Sequence, residues 1–438
     1  MLTRRQIILG SLATAGGAGT VLAAGGAAVA EAYKNGYSEA IAANQTAVAS
    51  RKTNWAGKHQ AGIESRAQAH SNFLAFELLP NVTSDDMLRW MVLLTDDISR
   101  LSSGQSALAD PHPELVVGPA NLTVTLGFGP ALFKKLNLEA KVPVGFAELP
   151  TFKIDRLDEK YCGGDVLIHV SADDLQILSH VTRILIRDSS SFATSKWIQP
   201  GFTNAIGTTP EGKTQRNLMG QVDGTDNPDL GTEGFDKLVW IADGPKWAVG
   251  GTQLVLRRIR MNLDTWDKLG REAKEDVIGR HLDTGAPLGK TNEFDFLDFN
   301  AKKPNGLDVI PAFAHVRRAS AADLGERFFR RPFNYQVLGE NPGELESGLL
   351  WTAYARDLTR QYLPVQKRLA EFDLLNQWTT PVGSAVFAIA RGVEPGQWLI
   401  TFDARTNPVR VSTTRTNRRR PLCLALRCPN SCQSTASS

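Results

Sequence analysis

Three short runs in the second half of the chain combine residue types that can do chemistry. Gly220-Gln221-Val222-Asp223-Gly224-Thr225-Asp226-Asn227-Pro228 brackets an acid between glycines. Glycine permits tight turns and close approach of the backbone to a flat ligand. An acid held in such a turn over an apolar cofactor is partly desolvated and can trade protons. Pro311-Ala312-Phe313-Ala314-His315-Val316-Arg317-Arg318-Ala319 sets His315, one of seven histidines, in an apolar stretch followed by two cations. A neutral imidazole can ligate a metal, and an arginine beside it can pair with acidic groups of a cofactor. Arg327-Phe328-Phe329-Arg330-Arg331-Pro332-Phe333-Asn334-Tyr335 mixes fixed cations with aromatic surface. A guanidinium over a planar cofactor can stabilise negative charge on a departing oxygen. Taken singly, each run also fits a structural role: a surface turn, a buried hydrogen-bonded histidine, a basic strand edge.

The elements that must position these runs interleave along the chain. Asn121 to Phe128 alternates between glycine-bounded ends and reads as a strand, as do Asp165–Val170, Gln253–Met261 and Ala385–Ala390. Ser84 stands as an N-cap before Met87, Met91, Leu94 and Ile98 at helical spacing. Ser171 reads as the cap of a helix running toward Ile186, and Leu263 to Arg280 as one helix with Gly285 beyond its end. A long helical pattern starts around Gly343 and Gly348 and runs through Arg368, with Pro364 as a kink or interruption. Thr284 to Pro311 is rich in Gly, Pro, Asn and Asp, the composition of a long functional or disordered loop. The class that fits is α+β, antiparallel sheets covered on one face by helices. The pattern is too irregular for a (βα)₈ barrel, and no Gly-x-Gly-x-x-Gly follows a strand. The two halves could be copies of one unit.

With 42% hydrophobic and 22% charged residues, the composition is that of a globular enzyme. A net charge of +3 steers toward neither nucleic acid nor an acidic membrane surface. Four cysteines include no Cys-x-x-Cys, so covalent c-type haem attachment is not encoded in its usual form. Cys423, Cys428 and Cys432 crowd the end of the chain, where they could bind zinc or pair. Arg4-Arg5 precedes an uncharged, Gly- and Ala-rich run from Ile7 to Ala30, closed by Ala28-Val29-Ala30. This resembles a twin-arginine signal peptide over residues 1–30. That route exports folded proteins, to the envelope, periplasm or medium. An uncleaved anchor is the alternative. Beyond it, no stretch is apolar enough to span a membrane.

Taken together and in this order, the three runs resemble the dye-decolourising (DyP-type) haem peroxidases, nearest the exported bacterial subgroup. The family's Gly-x-x-Asp-Gly turn is matched by GQVDGTDNP, preceded by Arg216-Asn217-Leu218-Met219. Its His-hydrophobic-Arg-x-Ala segment is matched by His315-Val316-Arg317-Arg318-Ala319, and its Arg-Arg-Gly-aromatic-x-Tyr run by Arg330 to Tyr335, with Pro332 in place of glycine. Echoes in His59-Gln60-Ala61-Gly62-Ile63, Cys162-Gly163-Gly164-Asp165 and Thr284-Gly285-Ala286-Pro287-Leu288 extend the likeness over residues 57 to 400. Past Trp398 the chain departs from the family.

The resemblance implies two ferredoxin-like halves, 57–210 and 211–400, after a lead-in over 31–56, with 401–438 an atypical tail. It implies one non-covalent haem b, mainly in the C-terminal half, with His315 as the axial iron ligand. Asp373 would hold the other ring nitrogen, and Arg317, Gly224, Thr225 and Asn227 would border the cofactor. Asp223 would move a proton between the oxygens of hydrogen peroxide, and Arg330 would stabilise charge as they separate. An organic reductant, such as a dye or phenol, would then give up single electrons. A carboxyl group in this role implies an acidic activity optimum. A homo-oligomer is compatible with these runs. Two other readings share the haem: release of its iron, as in a deferrochelatase, and a non-enzymatic haem or iron-uptake protein. A carrier has no use for the Asp223 and Arg330 pair.

Overall fold

The strands follow one another in a repeated order. In the first half β1 (His70–Leu78) leads through the helix Ser84–Leu101 to β2 (Thr123–Phe128) and β3 (Val166–Ala172). The helix Leu175–Ser189 then leads to β4 (Ala193–Phe202). In the second half β5 (Thr252–Met261) is followed by β6 (Phe329–Arg330), β7 (Phe333–Leu338) and β8 (Leu345–Ala355). The helix Leu358–Phe372 and β9 (Thr379–Ile389) complete it. Spatial order is β4-β1-β3-β2 in the first sheet and β9-β5-β8-β7 in the second, all antiparallel. Each is the ferredoxin-like arrangement, so the α+β class with two ferredoxin-like halves holds. This computed structural model describes residues 50–399 except Glu211, Ala322 and Glu340. The twin-arginine run, most of the lead-in and the cysteine-bearing tail lie outside the described residues.

Two short seams join the sheets: Gly127 and Phe128 pair with Ile389 and Ala388, and Phe202 pairs with Asn334. Strand alternation then gives each sheet two jobs. Phe73, Ala75, Leu167, Leu254, Leu256, Leu350 and Phe387 fill the space between sheets. Their neighbours Leu74, Phe76, Val166, Ile168, Val255 and Val386 point outward into a second core with the long helices.

The structure departs from the local sequence pattern in four places. Thr83, not Ser84, caps the first helix, in a capping box with Asp86. Ser171 lies within β3, and Asp174 caps the next helix by accepting from Ile177 N–H. The 263–280 segment breaks into Leu263–Trp266 and Arg271–Ile278, with Gly270 as N-cap of the second part and Gly279 (φ +89°) as its left-handed C-cap. Residues Leu345–Ala355 form a strand rather than the start of a long helix. That strand is apolar on both faces, and periodicity does not separate such a strand from a buried helix. Asp357 caps the helix that follows, which runs on through Pro364. No helix among the described residues is long and apolar enough to cross a membrane.

Candidate active site

The three runs converge on one cavity, set against the face of β5 and β8 that carries Arg257, Ile259, Leu349 and Trp351. His315 is the first residue of the helix His315–Ala319, whose backbone packs on the end of Arg271–Ile278. Gly279 makes this possible. A Cβ there would meet Val316 Cγ2 at 2.5 Å, and its φ of +89° disfavours any side chain. His315 Nδ1 donates to Asp373 Oδ2 at 2.6 Å. Asp373 sits just after the helix Leu358–Phe372, and its Oδ1 accepts from Leu375 N–H at 3.0 Å. Leu374 N–H on Phe313 O (3.1 Å) ties the two segments together. Burial opposes protonation of His315, but the charge and hydrogen bond of Asp373 outweigh it and leave the pKa raised. Nε2 has no partner among the described residues, and the ring lines the cavity.

Asp223 closes a small hairpin in which Arg216 pairs with Val222 and Asp223 N–H donates to Gln215 O at 2.9 Å. Gly224 follows at φ +130°, turning the chain along the cavity wall. Asp223 Oδ1 lies 3.6 Å from Arg330 Nη1, and Asn217 Nδ2 donates to Asp223 Oδ2 at 3.3 Å. Arg330 ends β6, paired with Ala353 of β8. Pro332 falls in the gap between β6 and β7, where the missing N–H costs no ladder bond. The proline therefore leaves Arg330 on the cavity wall.

Asp223, Gly224, Thr225, His315, Arg330 and Asp373 all line this cavity. Thr225 turns its hydroxyl to the buried Glu293, with Oγ1 donating at 2.9 Å. Two expected border residues stand elsewhere. Arg317 does not line the cavity; its Nη1 donates to Asp308 Oδ2 (3.2 Å) and Ile310 O (2.9 Å), which anchors the long 284–311 loop. On a short helix, residues two apart point to different sides, so Arg317 turns away when His315 faces in. Asn227 lies behind the wall, where Nδ2 donates to Arg330 O (2.8 Å) and Oδ1 accepts from Arg330 N–H (2.9 Å).

Sequence reading missed two further cations on the wall, Arg257 and Arg280. Arg257 is fully enclosed, paired with the buried Asp155, and donates to Ser384 Oγ at 2.9 Å. A charge inside the apolar strand QLVLRRIRM was the available signal. Arg280 donates to Gly285 O (2.8 Å) and Glu293 O (2.9 Å). Burial lowers its pKa against the pull of Asp226 and Glu293.

Two family models cover most of the chain: "Dyp-type peroxidase, N-terminal" over residues 60–203 and "Dyp-type peroxidase, C-terminal" over 214–394. The chain belongs to the Dyp-type peroxidase family. A dye-decolorizing peroxidase of Thermobifida fusca (strain YX) is 37% identical over 355 residues, 78% of this chain and 82% of that one. A deferrochelatase of Escherichia coli (strain K12) is 32% identical over 357 residues, 77% and 84% of the two chains. Among solved structures, a DyP-type peroxidase from Cellulomonas bogoriensis matches with a TM-score of 0.77 and 44% identity, covering 80% of this chain and 97% of its own. Ferric DtpA of Streptomyces lividans matches with a TM-score of 0.77 and 35% identity, over 81% and 97%. Dyp-type peroxidases bind haem, and the cavity of this family member fits such a group. Met219, Val222, Ile259, Leu297, Phe328 and Leu369 offer apolar surface to a flat ring system. An iron at its centre suits an imidazole whose far nitrogen is already held by a carboxylate.

Proposed function

We propose that this Dyp-type peroxidase reduces hydrogen peroxide with haem b and oxidises phenols, dyes or similar organic donors one electron at a time. One observation carries the reading. A carboxylate-held histidine and a carboxylate–guanidinium pair share one cavity, and the charges of Asp223 and Arg330 both act on His315. Haem would supply the redox chemistry; the protein supplies ligation, orientation and charge. His315 would hold the iron through Nε2. Asp373, accepting from Nδ1–H, fixes the ring's tautomer and orientation and raises its basicity. Asp223, on the same cavity wall, would take the proton from one peroxide oxygen and return it to the other. Asn217 orients the Asp223 carboxylate. Arg330 would stabilise the negative charge that grows on the leaving oxygen.

Iron release from haem is a second reading of the same site, favoured by the Escherichia coli relative named deferrochelatase. We also propose export by the twin-arginine route, supported by Arg4-Arg5 and the uncharged run to Ala30, and a division of labour between residues 57–210 and the cavity-bearing 211–400. The experiment is an absorption spectrum of the purified protein before and after one equivalent of peroxide. The peroxidase reading expects a haem band that shifts and returns on adding phenol. Free porphyrin with an intact ring would instead select iron release. A full native haem band in His315→Ala would rule out His315 as the iron ligand.

A further inference from the structure

β5 carries arginines on both faces. Arg257, Ile259 and Met261 line the active-site cavity, while Arg258 and Arg260 alternate to the opposite face. On that face Leu254 and Leu256 belong to the core between the sheets. Beyond them opens a second cavity of about 330 Å³, with Arg260 on its wall.

The charges on this wall do not balance. Lys160 pairs with Asp158 at 2.7 Å. Glu346 pairs with Arg258 at 2.6 Å and accepts from Tyr335 Oη at 2.9 Å. Two cations are left over. Arg156 donates only to the carbonyls of Lys153 (3.1 Å) and Asp155 (2.6 Å). The Arg260 guanidinium makes no ion pair or hydrogen bond among the described residues. Behind them Arg258 is 2% exposed, its guanidinium 4.3 Å from the ring centre of Tyr161 and 3.8 Å from that of Tyr335. Its Nε has no partner. Tyr161, with Lys160 Nζ also 5.0 Å from its ring centre, lines the cavity together with the apolar Val337 and Val382. Leu338 stands on the same wall, 83% exposed.

We propose that this cavity docks an organic anion with a flat apolar body, an aromatic sulfonate or carboxylate, and that Arg156 and Arg260 give the enzyme its preference for anionic electron donors. The two guanidiniums take the acidic group, and Tyr161 with the valines takes the ring. A small inorganic anion would leave that apolar surface bare. The donor site and the active-site cavity are separated by the thickness of one strand, because residues 257 to 261 alternate between them. A docked phenolic anion gives up one electron, and its phenolic proton passes to water. Two such donors leave as radicals for each peroxide, whose reduction to two waters consumes the two electrons and two protons. Only this redox step rests on the peroxidase reading; the docking does not.

The test uses haem-loaded enzyme, with para-hydroxybenzenesulfonate as anionic donor and phenol as its uncharged counterpart. The double variant Arg156→Glu/Arg260→Glu should raise KM for the sulfonate by about tenfold or more. It should leave KM for phenol, and the rate with peroxide, within about twofold, because neither arginine lines the active-site cavity. Added salt should raise the wild-type KM for the sulfonate alone. Calorimetric titration of the sulfonate should lose its binding signal in the double variant while the melting temperature holds. Equal changes for both donors, no change for either, or full competition by inorganic sulfate would overturn the proposal. If no form oxidises any donor, the peroxidase reading fails on its own, and the titration still decides whether the cavity takes the anion.

Discussion

Asn227 grips the main chain of Arg330 with both ends of its carboxamide, donating to the carbonyl at 2.8 Å and accepting from the N–H at 2.9 Å. The pair is separated by 103 positions, and it joins the turn that carries Asp223 to the strand that carries Arg330. Asn227→Ala should therefore lower the rate with peroxide by about tenfold or more, since small misplacements of a catalytic group are costly. Haem content should be unchanged, because Asn227 does not line the cavity. Stopped-flow rates against peroxide concentration, with the haem band as loading control, check this. A rate equal to wild type would reduce Asn227 to a structural bond.

Removing either member of the Asp223–Arg330 pair should impair peroxide chemistry and spare cofactor binding. Asp223→Asn should cost about 10² to 10⁴ in rate, the range for lost acid–base catalysis. Arg330→Leu should cost about 10² to 10³, the range for a lost electrostatic stabiliser. Because the groups stand 3.6 Å apart, the double variant should lose less than the product of the two. Strict additivity in that cycle would mean the groups act independently.

Asp373→Ala should loosen the metal site through His315. Loss of a carboxylate partner to a ligating histidine typically costs about 10- to 100-fold in metal affinity or activity. Haem titration, together with the position of the haem band, reads the effect. Asp373→Asn should retain the orientation of the ring but lose part of the charge effect, since a carboxamide oxygen still accepts from Nδ1–H.

Stability should respond to pH through two buried groups of opposite sign. Asp97, buried and close to Asp188, is raised to about 7, first by burial and then by the Asp188 charge. Its folded value lies above the unfolded 3.8, so it lowers stability as pH rises between these values. His169, enclosed between Ser71 and Ser171, is lowered to about 3 by burial. Its folded value lies below the unfolded 6.5, so it lowers stability as pH falls between those values. Each contributes a slope of up to about 1.4 kcal/mol per pH unit, and the two oppose one another between 3.8 and 6.5. Melting curves across that window should slope upward with pH in Asp97→Asn and downward in His169→Gln. Parallel curves for wild type and both variants would contradict this account.

Much of the architecture could be read from local pattern. The strands at 121–128, 165–170 and 253–261 lie within a few residues of β2, β3 and β5, because alternation and bounding glycines are local signals. Leu345–Ala355 was misread because a strand buried on both faces loses its alternation. Ser84 and Ser171 were misread as caps because the residue that caps depends on where the backbone leaves extended geometry, which one residue type does not reveal.

What the sequence alone determined was an inventory: an imidazole, a carboxyl and a guanidinium, each in a distinctive local run, on a chain of α+β class. It also carried enough family pattern to say what such groups do together. The tertiary structure decided which of them meet. His315 and Asp373, 58 positions apart, come within 2.6 Å only because the helix Leu358–Phe372 returns its end to the segment before His315. Arg317, two residues from His315, is turned away by the same helix geometry that points His315 inward. Arg257 joins the wall through a sheet whose pairings are non-local, and Arg280 through the carbonyls of Gly285 and Glu293 in the loop that folds back over it. Hydrogen bonds and enclosure act over a few ångströms in space, and distance along the chain does not predict which side chains will share that space.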